Sequence, residues 1–323
     1  MLAPSMAKTS RQIVMLGVLL LACFCVGAPA EPSAIPNIGS SPPCFGAAAR
    51  DPTHPCNNPR LRLTVQPTPS QAQITPNTPC TPIKATINVC TFGVPAAQAA
   101  STIALIGDSH TWHWRGAVEV VAQALDWQGL SSTRSSCPFT QGMTILPEPK
   151  RAGCTKWNRD VLRWVGQHPE ISTVVTSDHP GPVVASRGQS PLAAQVAGYL
   201  AAWNALPPTV KHVIVIRDIP YMHEGTLACV ERARVKREDA GLACAVPRSS
   251  ALHRDPAVMA AERAAPRVQV VDLTNFFCDS RLCYPVVGGA LVYLDYDHLT
   301  RVFATTLGPF LLREVRKLMA SWH

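Results

Sequence analysis

The sequence predicts an α/β fold, a three-layer α/β/α sandwich around a mostly parallel sheet, preceded by a disulfide-rich N-terminal extension. Three observations predict it. From residue 101 onward, short apolar runs alternate with amphipathic stretches of helical period. The repeated order strand–helix–strand–helix places helices on both faces of a parallel sheet. Of the 12 cysteines, all but Cys23 and Cys25 follow residue 30, an even number behind what reads as an export signal.

The signal occupies residues 1–30. Lys8 and Arg11 supply a positive start, Ile13 to Val26 an apolar run, and Ala28-Pro29-Ala30 a small-residue cleavage site. The run is too short for a membrane span. Leu20-Leu21-Ala22-Cys23 resembles a lipobox, with Cys23 as a lipid anchor, but the middle residue fits that pattern poorly and plain secretion is the preferred reading. Loss of the signal takes the net charge from +8 to +6. That mild basicity fits ordinary solubility. The densest charge cluster, Glu231 to Asp239, mixes both signs without interleaved aromatics, so nucleic acid is not an expected partner.

Residues 31–43 read as a flexible leader and residues 44–100 as a Pro-rich, disulfide-tied extension. Sequence neighbourhood suggests the pairs Cys137–Cys154, Cys229–Cys244 and Cys278–Cys283, with Cys44, Cys56, Cys80 and Cys90 pairing among themselves. No Cys-x-x-Cys pair is present, which argues against zinc.

In the domain over 101–323, Thr102–Ile106 is a continuous apolar run, as in a buried parallel strand. Gly116–Trp127 carries a helical stripe of Ala117, Val118, Val121, Ala122 and Leu125. Thr155–Gln167 reads as a helix with Trp157, Val161, Trp164 and Val165 on one side. Ile171–Thr176 and His212–Ile216 read as strands, and Pro191–Leu206 as a helix with proline near its start. Pro256–Ala264 reads as a helix and Arg267–Val271 as a strand. Leu299–Met319 closes the chain as a helix with a bend expected at Pro309.

Parallel α/β sheets place chemistry at the carboxyl ends of their strands. There the sequence has Gly107-Asp108-Ser109-His110, Ser177-Asp178-His179, Arg217-Asp218 and Asp272. Gly107 suits a sharp turn. Ser109 falls at a helix start, where its own N–H is a candidate donor to an oxyanion. Asp108 or Ser109 as a simple helix cap is the competing reading. Asp295-Tyr296-Asp297-His298 precedes the last helix. A serine hydroxyl needs a base, and a histidine oriented by a nearby carboxylate supplies one. Here too the alternative is a capping Asp295 or Asp297 beside an exposed histidine.

Together the two motifs resemble the SGNH (GDSL-like) hydrolases, with their early Gly-Asp-Ser and late Asp-x-x-His and a flavodoxin-like sheet. The resemblance is closer to the SGNH domain, with its preceding extension, of bacterial membrane-bound acyltransferase-3 proteins. It rests on Cys44-Phe-Gly-Ala-Ala, Cys90-Thr-Phe-Gly93, Ala104-Leu-Ile-Gly-Asp-Ser-His110 with Trp114, Cys137-Pro138, Cys154-x-x-Trp157, Arg217-Asp218-Ile-Pro220, Cys278…Cys283-Tyr-Pro285 and Asp295-x-x-His298-Leu-Thr300. It implies a catalytic triad of Ser109, Asp295 and His298. It further implies a task of moving O-acyl groups, often acetyl, on envelope or surface glycans, without a cofactor. The middle motif departs from the wider superfamily: Ser177-Asp178-His179 stands where a Gly-x-Asn-Asp would add oxyanion donors. A membrane acyltransferase half is not among these residues, so the resemblance implies a free-standing domain working alone or with a separate membrane-bound acyltransferase.

Gly107, Asp108, His110, Trp114, Ser177, Arg217 and Asp218 are the remaining candidates for substrate or oxyanion contacts. For Arg217 and Asp218 a structural ion pair is an equal alternative. Trp112 and Trp114 fit a sugar-binding rim or the core. His110 and His113, three apart, lack a defined four-ligand set even with Asp178 or His179, so no metal is expected. Two other classes of function stand beside the enzyme. One is a non-catalytic module that binds or presents glycan to a membrane acyltransferase. The other is a structural envelope protein, which explains the cysteines but not the paired motifs.

Overall fold

The computed structural model describes residues 41–54, 56–74, 81–83, 87–181, 184–186 and 188–322. The export signal, Cys23, the leader up to residue 40, and Cys80 lie outside the described residues.

Seven strands form the central sheet: β1 (Thr81–Ile83), β2 (Val89–Gly93), β3 (Ser101–Gly107), β4 (Trp127–Thr133), β5 (Ile171–Thr176), β6 (His212–Ile216) and β7 (Val268–Val271), in the order β1-β2-β4-β3-β5-β6-β7. β3, β4, β5, β6 and β7 run parallel, and β1 and β2 join antiparallel. The sheet is therefore mostly parallel, as the alternating pattern predicts. β3 is central and nearly wholly buried, because Ile103 to Ile106 present apolar side chains to both faces.

On one face lie α1 (Ser109–His113), α2 (Arg115–Ala124) and α7 (Arg301–Ala320). Their core holds Trp114, Val118, Val121, Phe303 and Leu307. α7 approaches α2 so closely that a Cβ on Gly308 would stand 2.5 Å from the Cβ of Val120. On the other face α3 (Lys150–Gly166), α4 (Pro191–Asn204) and α6 (Pro256–Ala261) bury Trp157, Trp164, Tyr199 and Trp203. α5 (Thr226–Lys236) packs in a smaller cluster with Val230 and Leu291.

Several elements differ from the sequence reading. The helix expected to run to Trp127 ends at Ala124, and Trp127 instead opens β4. β4 is rich in Ser, Thr and Gly and carries no apolar run, yet it is buried between β2 and β3. α3 begins at Lys150, earlier than its apolar stripe shows, because its first turn is solvent-facing. α5 falls in the mixed-charge segment read only as a charge cluster. The last helix, by contrast, agrees with that reading in extent, running from Arg301 through Pro309 to Ala320.

The extension is tied to the rest of the chain by several bonds. Ala47 N donates to Thr306 Oγ1 at 3.0 Å, and Arg313 grips Asp51 with two bonds of 3.0 Å. Burial pushes the Asp51 carboxyl up, but Arg313 and Thr53 together hold it well below the usual carboxylate range. Disulfides join Cys44–Cys56, Cys137–Cys154, Cys229–Cys244 and Cys278–Cys283. Cys90 is also disulfide-bonded.

Candidate active site

The parallel strands follow the order β4-β3-β5-β6-β7, so successive strands are added first on one side of β3 and then on the other. Such switch points open a crevice at the strands' carboxyl ends. Ser109 sits there, first residue of α1, directly after β3. Asp108 caps that helix: its Oδ1 accepts from His110 N at 2.8 Å, and its Oδ2 accepts from His179 N at 3.0 Å. Asp178, after β5, accepts from Asp108 N at 2.9 Å and Phe139 N at 3.2 Å. Thr111 donates to the Ser177 carbonyl and accepts from Ser177 N. These bonds lock the turn bearing Ser109 onto the end of β5.

Asp108 and Asp178 are both buried. Burial raises both carboxyl pKa values and, with the neighbouring Asp108 charge, holds Asp178 well above the carboxylate range.

His298 lies in the loop before α7, whose start is capped by Thr300. Its Nε2 is 2.9 Å from Ser109 Oγ. Its Nδ1 is 2.9 Å from Asp295 Oδ2. Asp295 also accepts from the backbone N–H groups of Asp297 and His298, at 2.9 and 2.8 Å, which folds the Asp-x-x-His segment into a tight turn. Burial alone would lower the His298 pKa, but hydrogen bonds to Asp295 and Asp297 carry it up to about 10.

A cavity of about 350 Å³ opens beside this pair, lined by Ser109, Trp112, Thr133, Ser135, Leu294, Asp295 and His298. Thr133, Ser135 and Leu294 belong to no sequence motif, and of the four only Trp112 offers a signal, as an aromatic close to the Gly-Asp-Ser turn. A larger cavity of about 480 Å³ lies between the extension and the Tyr284–Gly289 segment; it is lined by no histidine and no serine.

Other sequence candidates fall elsewhere. Trp114 is buried, edge-on to Phe277 in the core, so it is no rim residue. Ser177 is buried, with its N–H taken by Thr111, and the His179 N–H is taken by Asp108. Neither amide is free for an oxyanion. Gly107 and Asp108 are buried and shape the turn, and neither lines the cavity. Arg217 does not pair with Asp218; its Nε lies 3.8 Å from Asp272. Asp218 is buried and takes His110 Nδ1 at 2.8 Å, the Tyr221 hydroxyl at 2.9 Å, and is itself anchored through its N–H to Asp255. His110 is thus a buried partner of Asp218, not a substrate contact. The Ser109 N–H, as the first amide of a helix, has no intrahelical acceptor.

Among the described residues, two sets could bring three ligand atoms to a cation: His110, His113 and Asp218, and His110, Asp297 and His298. The His110 Nδ1, common to both, already faces Asp218, and in the second set His298 Nδ1 faces Asp295.

Over residues 75–313 the sequence matches the family described as the SGNH domain fused to AT3 domains. The chain belongs to that family. No curated protein sequence matches the chain significantly. Among solved structures, the SGNH chain is similar to the periplasmic domain of a lipopolysaccharide acetyltransferase from Salmonella ser. Paratyphi A. The TM-score is 0.53 at 11% identity, covering 69% of this chain and 90% of that one, a likeness of fold. Among the described residues of this SGNH chain, no helix is long and apolar enough to cross a membrane.

Proposed function

We propose that this SGNH chain is an extracytoplasmic serine esterase or O-acyltransferase that removes or transfers an O-acyl group, acetyl in the simplest case, on an envelope glycan. The observation that carries the reading is the aligned set Ser109 Oγ, His298 Nε2 and Asp295, beside an open cavity. The disulfides, which persist in oxidising compartments, and the periplasmic setting of the Salmonella domain support a location outside the cytoplasm.

The reaction has two halves. His298 Nε2 takes the Ser109 proton as Oγ bonds to the ester carbonyl carbon. The Ser109 N–H stabilises the oxyanion. The tetrahedral species collapses, the ester C–O bond breaks, and His298 returns the proton to the leaving alcohol. A second hydroxyl, from water or a sugar, then gives its proton to His298 and bonds to the acyl carbon; the acyl–Oγ bond breaks and His298 returns the proton to Ser109 Oγ. The apolar face of Trp112 and the hydroxyls of Thr133 and Ser135 suit a sugar ring. A separate membrane-bound acyltransferase would supply the acyl group where the acceptor is a sugar.

Fluorophosphonate labelling of the oxidised protein, with the modified peptide located by mass spectrometry, tests this. Labelling at Ser109 that disappears in His298→Ala is the expected result. A folded protein that never labels would sink the catalytic reading and favour a glycan-presenting module.

A further inference from the structure

The mechanism above uses one carboxylate, yet two face the base. His298 Nδ1 lies 2.9 Å from Asp295 Oδ2 and 2.8 Å from Asp297 Oδ1. The two acids differ in setting: the Asp295 side chain is 40% exposed and that of Asp297 only 5%. Charge interactions are stronger away from water, so the buried acid has the larger hold on the ring. A buried carboxylate must itself be compensated. The other oxygen of Asp297 faces His110 Nε2 at 3.8 Å and His179 Nε2 at 3.7 Å, ion-pair distances too long for hydrogen bonds. His110 is in turn held by Asp218 through Nδ1.

We propose that Asp297 is a second positioning residue for His298, and that a buried Asp218–His110–Asp297 chain, as well as Asp295, sets the orientation and basicity of the base. This rests on the serine-hydrolase reading of the same site.

Two carboxylates on one imidazole hold its proton firmly and place its working range above neutrality. A positive charge on His110 offsets Asp297. Burial opposes that charge, but Asp218 and Asp108 raise the His110 pKa above its ordinary value. The remaining groups around Asp297 leave this role to His110. Burial lowers His179 and drives His113 well below the ordinary range, so both are neutral. Tyr221 and Tyr296 are held protonated, Tyr221 mainly by burial and Tyr296 mainly by Asp297 itself.

The test follows the His298 ring by NMR with isotope-labelled histidine, in the oxidised full-length protein, alongside the pH profile of fluorophosphonate labelling. Asp297→Asn removes the charge at nearly constant shape. Its expected effect is a fall of about one pH unit or more in the His298 midpoint. His110→Gln removes the compensating cation, and the midpoint should rise. A merely structural role would not move the two variants in opposite directions. An unchanged midpoint in Asp297→Asn, or an unchanged or lowered one in His110→Gln, overturns the proposal. Should Asp297→Asn fail to fold, the His110→Gln shift decides alone. The ring titration reads out whether or not Ser109 reacts. Variant shifts in these opposite directions, together with a wild-type protein that never labels, would contradict the serine-hydrolase reading and leave the charge chain standing.

Discussion

Ser109 Oγ and His298 Nε2 lie 2.9 Å apart although 189 residues separate them in sequence. The contact exists because α7 packs on α2, which brings the loop before α7 against the turn after β3. Ser109→Ala and His298→Ala should each lower turnover of a simple aryl acetate by about 1,000-fold or more. The thermal midpoint should change little for Ser109→Ala. A variant that keeps most of its turnover would place the nucleophile elsewhere.

The raised His298 pKa, about 10, fixes the sign of the pH dependence. The ring accepts the Ser109 proton only when neutral, so esterase rate should climb from pH 7 toward pH 10. The stability effect runs the other way. Pairing of charged His298 with Asp295 and Asp297 contributes fully below the unfolded pKa of about 6.5. It fades as pH rises through the folded value. The stability advantage of wild type over His298→Gln, measured by urea denaturation, should therefore shrink between about pH 6.5 and 10.

Gly107 stands where the backbone passes closest to Thr111 and Asp178. A Cβ there would lie 2.0 Å from Thr111 Oγ1 and 2.6 Å from Asp178 Oδ1. Thr111 cannot swing aside without breaking its bonds to Ser177. Gly107→Ala should cost about 1–3 kcal/mol of stability and displace Ser109, with esterase activity falling at the same time. Urea denaturation and a rate assay on one sample check both.

The Cys137–Cys154 disulfide pins the loop after β4 to α3, next to the Asn158 side chain that bonds Pro138 O and Thr140 N. Its sequence separation is 17. Replacing both cysteines by alanine should lower stability by about 3 kcal/mol. Wild type under a reducing agent, which also opens the other disulfides, should lose more than this.

Where one residue run suffices to specify an element, the sequence and the structure agree. Ile171–Thr176 and His212–Ile216 are strands at those same bounds, because the β-branched residues Ile171, Thr173, Val174 and Val175, and the apolar run Val213–Ile216, suit a buried pleated strand. β4 was illegible because its pattern is Ser, Thr and Gly, and its strand state comes from pairing with β2 and β3 on either side. α5 was illegible because alternating charge hides a narrow buried stripe of Val230 and Ala233.

The site divides in the same way. The sequence by itself determined the α/β class, the turn that carries Ser109 and the Asp-x-x-His segment, since each follows from local pattern and short-range bonding. Only the tertiary structure decided that Trp114 belongs to the core and that Trp112 faces the cavity. It likewise decided that Asp218 serves His110, and that Asp297, legible before as no more than a cap, lies against the base. Those assignments depend on which distant segments meet at the end of β3, and that is set by how the helices pack on the sheet.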